Sequence, residues 1–164
     1  MEIRDAKEKD IEKINEIYNK AIKNLTVTFD TEPLSLEEQV MWYEKHKVED
    51  YPIIVAEKNE EVLGWASLSK WSEKEGYKYT VKNSVYVDSE NRNKGIGKKL
   101  LEKIISKARK RGFKNMIALI TEGNEVSIIL HERFGFEKVG TLNKAGYKFG
   151  KFIDVDLFQL RLDK

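Results

Sequence analysis

The residues best suited to chemistry stand in one stretch, Arg92-Asn93-Lys94-Gly95-Ile96-Gly97-Lys98-Lys99. Two glycines one residue apart let a backbone turn tightly and approach a ligand with no Cβ between them. A helical period starts directly afterwards, with Leu100, Leu101, Ile104, Ile105 and Ala108 on one face. The first turn of a helix carries unpaired N–H groups and the positive end of the backbone dipole. With Arg92, Lys94, Lys98 and Lys99 around it, this turn suits a pyrophosphate. Two common phosphate motifs do not fit. Walker A needs Ser or Thr after Gly-Lys, and here Lys99 follows Gly97-Lys98; the dinucleotide fingerprint needs a third glycine where Leu100 stands. The loop alone is equally compatible with a plain glycine turn bearing a solvated lysine face.

The rest of the chain reads as the elements that would hold this loop. A strand is expected over Glu2 to Asp5, then a helix with Ile11, Ile14, Ile17, Tyr18, Ala21 and Ile22 on one side. Leu25 to Pro33 breaks the period. Ser35 is placed to cap a second helix, with Glu38 as its capping-box partner. Ile53–Glu57 and Val62–Ser69 read as a hairpin turning at Asn59, and Lys70 to Tyr79 as a polar, aromatic loop. Thr80 to Val87 is a strand, with Val81, Asn83, Val85 and Val87 on one face and Thr80, Lys82, Ser84 and Tyr86 on the other. Gly112 ends the helix after the glycine loop, Met116 to Ile120 is a short apolar strand, and Val126 to Phe134 is a helix stopped at Gly135. Final strands are expected near Glu137–Leu142 and Ile153–Leu162, with a bulge where alternation slips between Leu157 and Phe158. The order β-α-α-β-β-β-α-β-α-β-β predicts a mixed α/β (α+β) fold, a central sheet flanked by helices.

Composition removes whole classes of function. The 164 residues are expected to form a single domain. There is no cysteine, so no disulfide framework, thiolate metal site or cysteine nucleophile exists. Only His46 and His131 could offer imidazole, and no metal is expected. A net charge of +2 lacks the basic excess of a nucleic-acid binder. The start, Met1-Glu2-Ile3-Arg4-Asp5, is charged, and the longest strongly apolar run, Met116 to Ile120, is far too short to span a membrane. No membrane partner and a cytoplasmic location are expected.

Arg92 to Gly97 resembles the coenzyme loop Arg/Gln-x-x-Gly-x-Gly/Ala of the GNAT N-acetyltransferases, and the element order resembles that family along essentially the whole chain. Four further segments resemble its phosphinothricin and amino-acid acetyltransferase branch. They are Thr28-Phe29-Asp30-Thr31-Glu32-Pro33, Thr80-Val81-x-x-Ser84-Val85-Tyr86-Val87, Leu130-His131-Glu132-x-x-Gly135-Phe136, and Ala145-Gly146-Tyr147-Lys148-x-Gly150-x-x-x-Asp154-Val155. The resemblance implies the GNAT fold, with a mixed and mostly antiparallel sheet, and acetyl-CoA as co-substrate. It implies that the backbone of Val85, Tyr86 and Val87 pairs with the pantetheine arm, and that the segment Arg92, Asn93, Lys94, Gly95, Ile96, Gly97 and Lys98 holds the pyrophosphate. Asn124 matches the family's coenzyme-contacting asparagine. His131 stands where many relatives carry a tyrosine near the sulfur, which makes it either a proton donor to the leaving thiolate or an ordinary packed histidine. Phe29, Thr31 and Glu32 match the segment that faces the acceptor, Lys78 stands where relatives hold the acceptor's carboxylate with arginine, and Trp71, Tyr77 and Tyr79 would wall the pocket. A homodimer is also implied, with the final strands and the loop after Lys70 near its interface.

The chain departs from that branch at two polar positions: Lys82 replaces the usual Glu, and Phe149 a frequent His. An ammonium has no lone pair, so the acceptor must lose a proton. The candidates for the base are Lys82 with a lowered pKa, Glu32, a water chain or bulk solvent. The expected activity is acetyl transfer to the primary amine of an amino acid or toxic analogue such as phosphinothricin or methionine sulfoximine. The alternatives are acetylation of protein N-termini or polyamines, or an acyl-CoA-binding module with impaired catalysis.

Overall fold

A computed structural model describes all residues, 1–164. Its strands are β1 (Glu2–Asp5), β2 (Ile53–Lys58), β3 (Glu61–Lys70), β4 (Thr80–Val87), β5 (Asn115–Thr121), β6 (Glu137–Lys148) and β7 (Lys151–Arg161). Its helices are α1 (Ile11–Asn24), α2 (Leu36–Glu49), α3 (Ile96–Lys110) and α4 (Glu125–Arg133). Ser35 caps α2 as expected: its Oγ accepts from Glu38 N at 3.1 Å, while Glu38 Oε2 accepts from Ser35 N at 2.9 Å. The seven strands form one sheet in the order β1-β2-β3-β4-β5-β7-β6, and only β4 and β5 run parallel.

Strand β2 shows how the sheet is covered on both faces. Ile54 and Ala56 enter the main core, built around Leu100, Leu101, Ile104, Met116 and Phe158, whereas Ile53 and Val55 enter a second core with Ile14, Ile17 and Trp65. Alternate residues of a strand point to opposite faces, so α3 lies on one face and α1 on the other. Gly64 of β3 makes close packing possible. A Cβ there would stand 2.9 Å from the Tyr86 carbonyl oxygen and 3.2 Å from Leu100 Cδ1.

Two features differ from expectation. The register slips opposite the Leu157/Phe158 step, but the extra residue is Val139 on β6, so the bulge belongs to the partner strand. Strand β6 also runs on to Lys148. Leu142 pairs with Val155 and Gly146 with Ile153, leaving Asn143, Lys144 and Ala145 opposite Asp154 alone. Lys144 takes a left-handed φ of 54°, and its N–H donates to Asp154 Oδ1 at 2.7 Å. No helix is long and apolar enough to cross a membrane.

Candidate active site

The site is organised by β4 and by where β4 loses a neighbour. Pairing with β5 covers only Thr80–Asn115, Val81–Met116 and Lys82–Ile117. Beyond Lys82 the two parallel strands part, and the β5-facing edge of Asn83 to Val87 has no strand partner. An extended amide chain can take those backbone groups as an added strand would. The N-terminus of α3 lies beside this opening: a Cβ on Gly97 would sit 3.7 Å from Val87 Cγ2 and 3.5 Å from Leu130 Cδ2. Gly95 takes a left-handed φ of 78° at the N-cap, and no side chain caps the helix. The first turn of α3 holds no acidic residue. Uncapped N–H groups, the helix dipole and the nearby Arg92, Lys94 and Lys98 together fit a pyrophosphate. The chain therefore sets an open strand edge beside an anion-binding helix N-terminus.

On the α3 side of β4, Val85 and Val87 pack against the main core. Asn83 turns to α4, where its Nδ2 donates to His131 Nε2 at 3.0 Å. The other ring nitrogen of His131 lies 2.7 Å from the Ser127 carbonyl. A carbonyl only accepts, so the ring proton resides on Nδ1 and Nε2 is the acceptor. His131 is 5% exposed, and burial holds its pKa below the usual histidine value. In this state its one ring proton is held by the Ser127 carbonyl and Nε2 carries none, so the geometry favours the packed reading. Asn124 is the N-cap of α4, where its Oδ1 accepts from Ser127 N at 3.3 Å. Asn83 and Ser127, which orient the histidine, carried no local sequence signal.

Lys82, Ser84 and Tyr86 lie on the opposite face. Lys82 is half-buried on the last rung before the strands part, between Ser69 and Ile117. The Tyr86 ring meets Tyr18 at 5.2 Å and Trp65 at 4.9 Å between centroids. Tyr18 Oη lies 3.0 Å from Thr28 Oγ1 and donates to Asp30. Burial pushes the Tyr86 hydroxyl up to about 12, so it is a neutral donor and not a base. The loop between α1 and α2 thus reaches β4 through Thr28 and Asp30. Phe29 packs on β6, while Thr31 and Glu32 are exposed.

The loop after β3 forms an open rim. Trp71 is half-buried, whereas Tyr77 and Tyr79 are exposed at 48% and 53%. Lys78 stands 3.2 Å from Glu75 and over the Tyr79 ring at 5.4 Å. Exposed pairs of this kind contribute little, so Lys78 can exchange Glu75 for a ligand's carboxylate at small cost. These aromatics do not pack beneath the loop, which removes the plain-packing alternative for Tyr77 and Tyr79.

The profile of the acetyltransferase (GNAT) family matches residues 14–136. The chain is 42% identical over 162 residues to an L-methionine sulfoximine/L-methionine sulfone acetyltransferase of Pseudomonas aeruginosa, covering 98% of this chain and 94% of the relative. It is 35% identical over 159 residues to a phosphinothricin N-acetyltransferase of Streptomyces viridochromogenes, covering 97% of this chain and 86% of the relative. The structure resembles that of a GNAT superfamily phosphinothricin acetyltransferase from Sinorhizobium meliloti in complex with acetyl-CoA, with a TM-score of 0.95, 33% identity, and coverage of 98% and 87%. The chain belongs to the GNAT acetyltransferase family. It is an acetyl-CoA-dependent N-acetyltransferase.

Proposed function

We propose that residues 1–164 act as one domain that acetylates the primary amine of an amino-acid analogue of the methionine sulfoximine or phosphinothricin type. The observation that carries this reading is the parting of β4 from β5 beside the uncapped N-terminus of α3. Acetyl-CoA supplies the acetyl group as a thioester. The amides from Asn93 to Lys98 would hold its pyrophosphate, and the free edge of Val85 to Val87 its amide arm. An N–H of Val85 or Val87 would donate to the thioester oxygen, where charge grows as the amine attacks. The acceptor would lie on the Lys82–Tyr86 face, under Phe29 and Thr31, with Lys78 reaching its carboxylate. No side chain is needed as a nucleophile, so transfer is direct. The names of the similar enzymes support the acceptor class.

The reading includes a homodimer and a cytoplasmic location. The dimer is supported by the edge strand β6, its hairpin partner and the turn between them, where Val139, Leu142, Tyr147, Phe149 and Phe152 are each at least half exposed. A cluster of exposed apolar side chains on a sheet edge is costly unless covered.

Release of free thiol from acetyl-CoA tests the reading against methionine sulfoximine, methionine sulfone, phosphinothricin, the common amino acids, simple amines, polyamines and peptide N-termini. Turnover confined to carboxylate-bearing small amines is expected. Turnover with polyamines or peptides alone would overturn it, as would heat protection by acetyl-CoA without any thiol release.

A further inference from the structure

The stretch between α1 and α2 has no regular structure of its own to fix its shape, yet Leu25 to Pro33 carries the residues expected at the acceptor. Two contacts from β6 fasten it. Gly146 and Lys148 are two apart on that strand, and both are buried, whereas Tyr147 and Phe149 are 57% exposed. Lys148 is 3% exposed, and its Nζ donates to the Leu25 carbonyl at 2.6 Å and to the Thr28 carbonyl at 2.9 Å. Lys148 forms no ion pair within 4 Å, although the charge of Asp30 acts on it from further away. The Phe29 ring lies directly on Gly146: a Cβ there would fall 2.0 Å from its Cζ.

A buried ammonium without a paired carboxylate is expensive, and an apolar chain of similar length would fill the space more cheaply. What lysine adds is a head with several donors that joins two carbonyls three residues apart. That bridge folds Leu25 to Thr28 back on themselves and sets the direction in which Phe29, Asp30 and Thr31 emerge. The bare backbone of Gly146 seats the Phe29 ring, a contact that any side chain there would obstruct. Both fastenings lie on the acceptor side of β4, away from the α3 cradle.

We propose that Lys148 is a positioning residue that pins the acceptor loop, with Gly146 as the seat for Phe29, so that this corner of β6 sets acceptor binding and leaves coenzyme binding alone. The kinetic part rests on the acetyltransferase reading above; the pin itself does not.

Lys148→Met removes the donors and keeps the length, and Gly146→Ala displaces the ring without touching the lysine. For Lys148→Met, at least a tenfold rise in acceptor KM is expected, with kcat and the calorimetric Kd for acetyl-CoA each within twofold of wild type. Gly146→Ala is expected to shift acceptor KM in the same direction by a smaller factor. Hydrogen exchange of the amides of residues 25–32 is expected to speed up at least tenfold in Lys148→Met. Unchanged acceptor KM in both variants would overturn the proposal, as would parallel loss of acetyl-CoA affinity and Tm. If the wild-type enzyme turns over no amine, the functional reading falls by itself. Loop exchange then still decides the pin: acceleration supports it and unchanged exchange overturns it.

Discussion

Lys82 is where residue-level chemistry is most exposed to test. It occupies the last rung of three-stranded pairing before β4 and β5 part, on the face of Ser84 and Tyr86. General-base assistance contributes ~10²–10⁴-fold where it operates. We expect Lys82→Glu to raise kcat/KM toward amines at neutral pH by about tenfold or more, a partial recovery of that range. The gain should shrink as pH nears the amine's own pKa; a pH–rate series on both forms checks this. A fall in activity with acetyl-CoA affinity intact would make Lys82 an acceptor ligand instead. The histidines give a prediction for stability. Burial lowers the pKa of both His46 and His131 below the ordinary histidine value of about 6.5. The unfolded chain therefore takes up these protons at higher pH than the folded chain. Stability is full above about pH 6.5 and declines as pH falls toward the folded values. Thermal scans from pH 7.5 to 5 should show falling Tm, with a shallower fall in His131→Gln, which has one proton fewer to exclude.

At the scale of elements, the cap of α2 and the glycine of β3 can be measured separately. Ser35→Ala removes the reciprocal capping box and should cost about 1 kcal/mol, read as a drop in Tm of roughly 2–4 °C. Gly64→Ala should cost more, about 1–3 kcal/mol, because the nearest atom to its new methyl is a backbone carbonyl that cannot rotate away. That carbonyl belongs to Tyr86, so acetyl-CoA affinity should fall with stability, and calorimetry beside thermal melts would show both. Helices α1 and α3 were legible from their buried apolar stripes, α2 from its capping box, and the first five strands from short apolar or alternating runs between turn residues. The second half of β6 was not. Three residues opposite Asp154 erase the alternation that would identify a strand. The same division runs through the site. The glycine loop is a local arrangement and could be read locally. The anchoring of the acceptor loop joins Lys148 to Thr28 across 120 positions of the chain, and no window of sequence shows it. The rim residues Tyr77 and Tyr79 were found by type, but their exposure was not, because a loop has no period from which to infer a face.

For the molecule as a whole, the open edge of the sheet is the feature on which the proposed dimer rests. Tyr147 and Phe152 face each other at 5.0 Å between centroids, are 57% and 63% exposed, and belong to the paired strands β6 and β7. Tyr147→Lys with Phe152→Glu should convert a dimer to a monomer in sedimentation velocity, while the cradle for acetyl-CoA keeps its affinity. Residues 146 to 149 alternate strictly: the bare Gly146 backbone and the Lys148 side chain face the loop between α1 and α2, and Tyr147 and Phe149 turn outward to solvent. Whatever clamps the outer pair also stiffens the inner pair, because both hang from the same four peptide units. In the proposed dimer, mass action would then make the enzyme's appetite for its acceptor a function of how much enzyme is present. Serial dilution of the wild-type protein through its association constant should raise acceptor KM and leave acetyl-CoA affinity level, so that a crowded enzyme scavenges traces of acceptor that a sparse one lets pass.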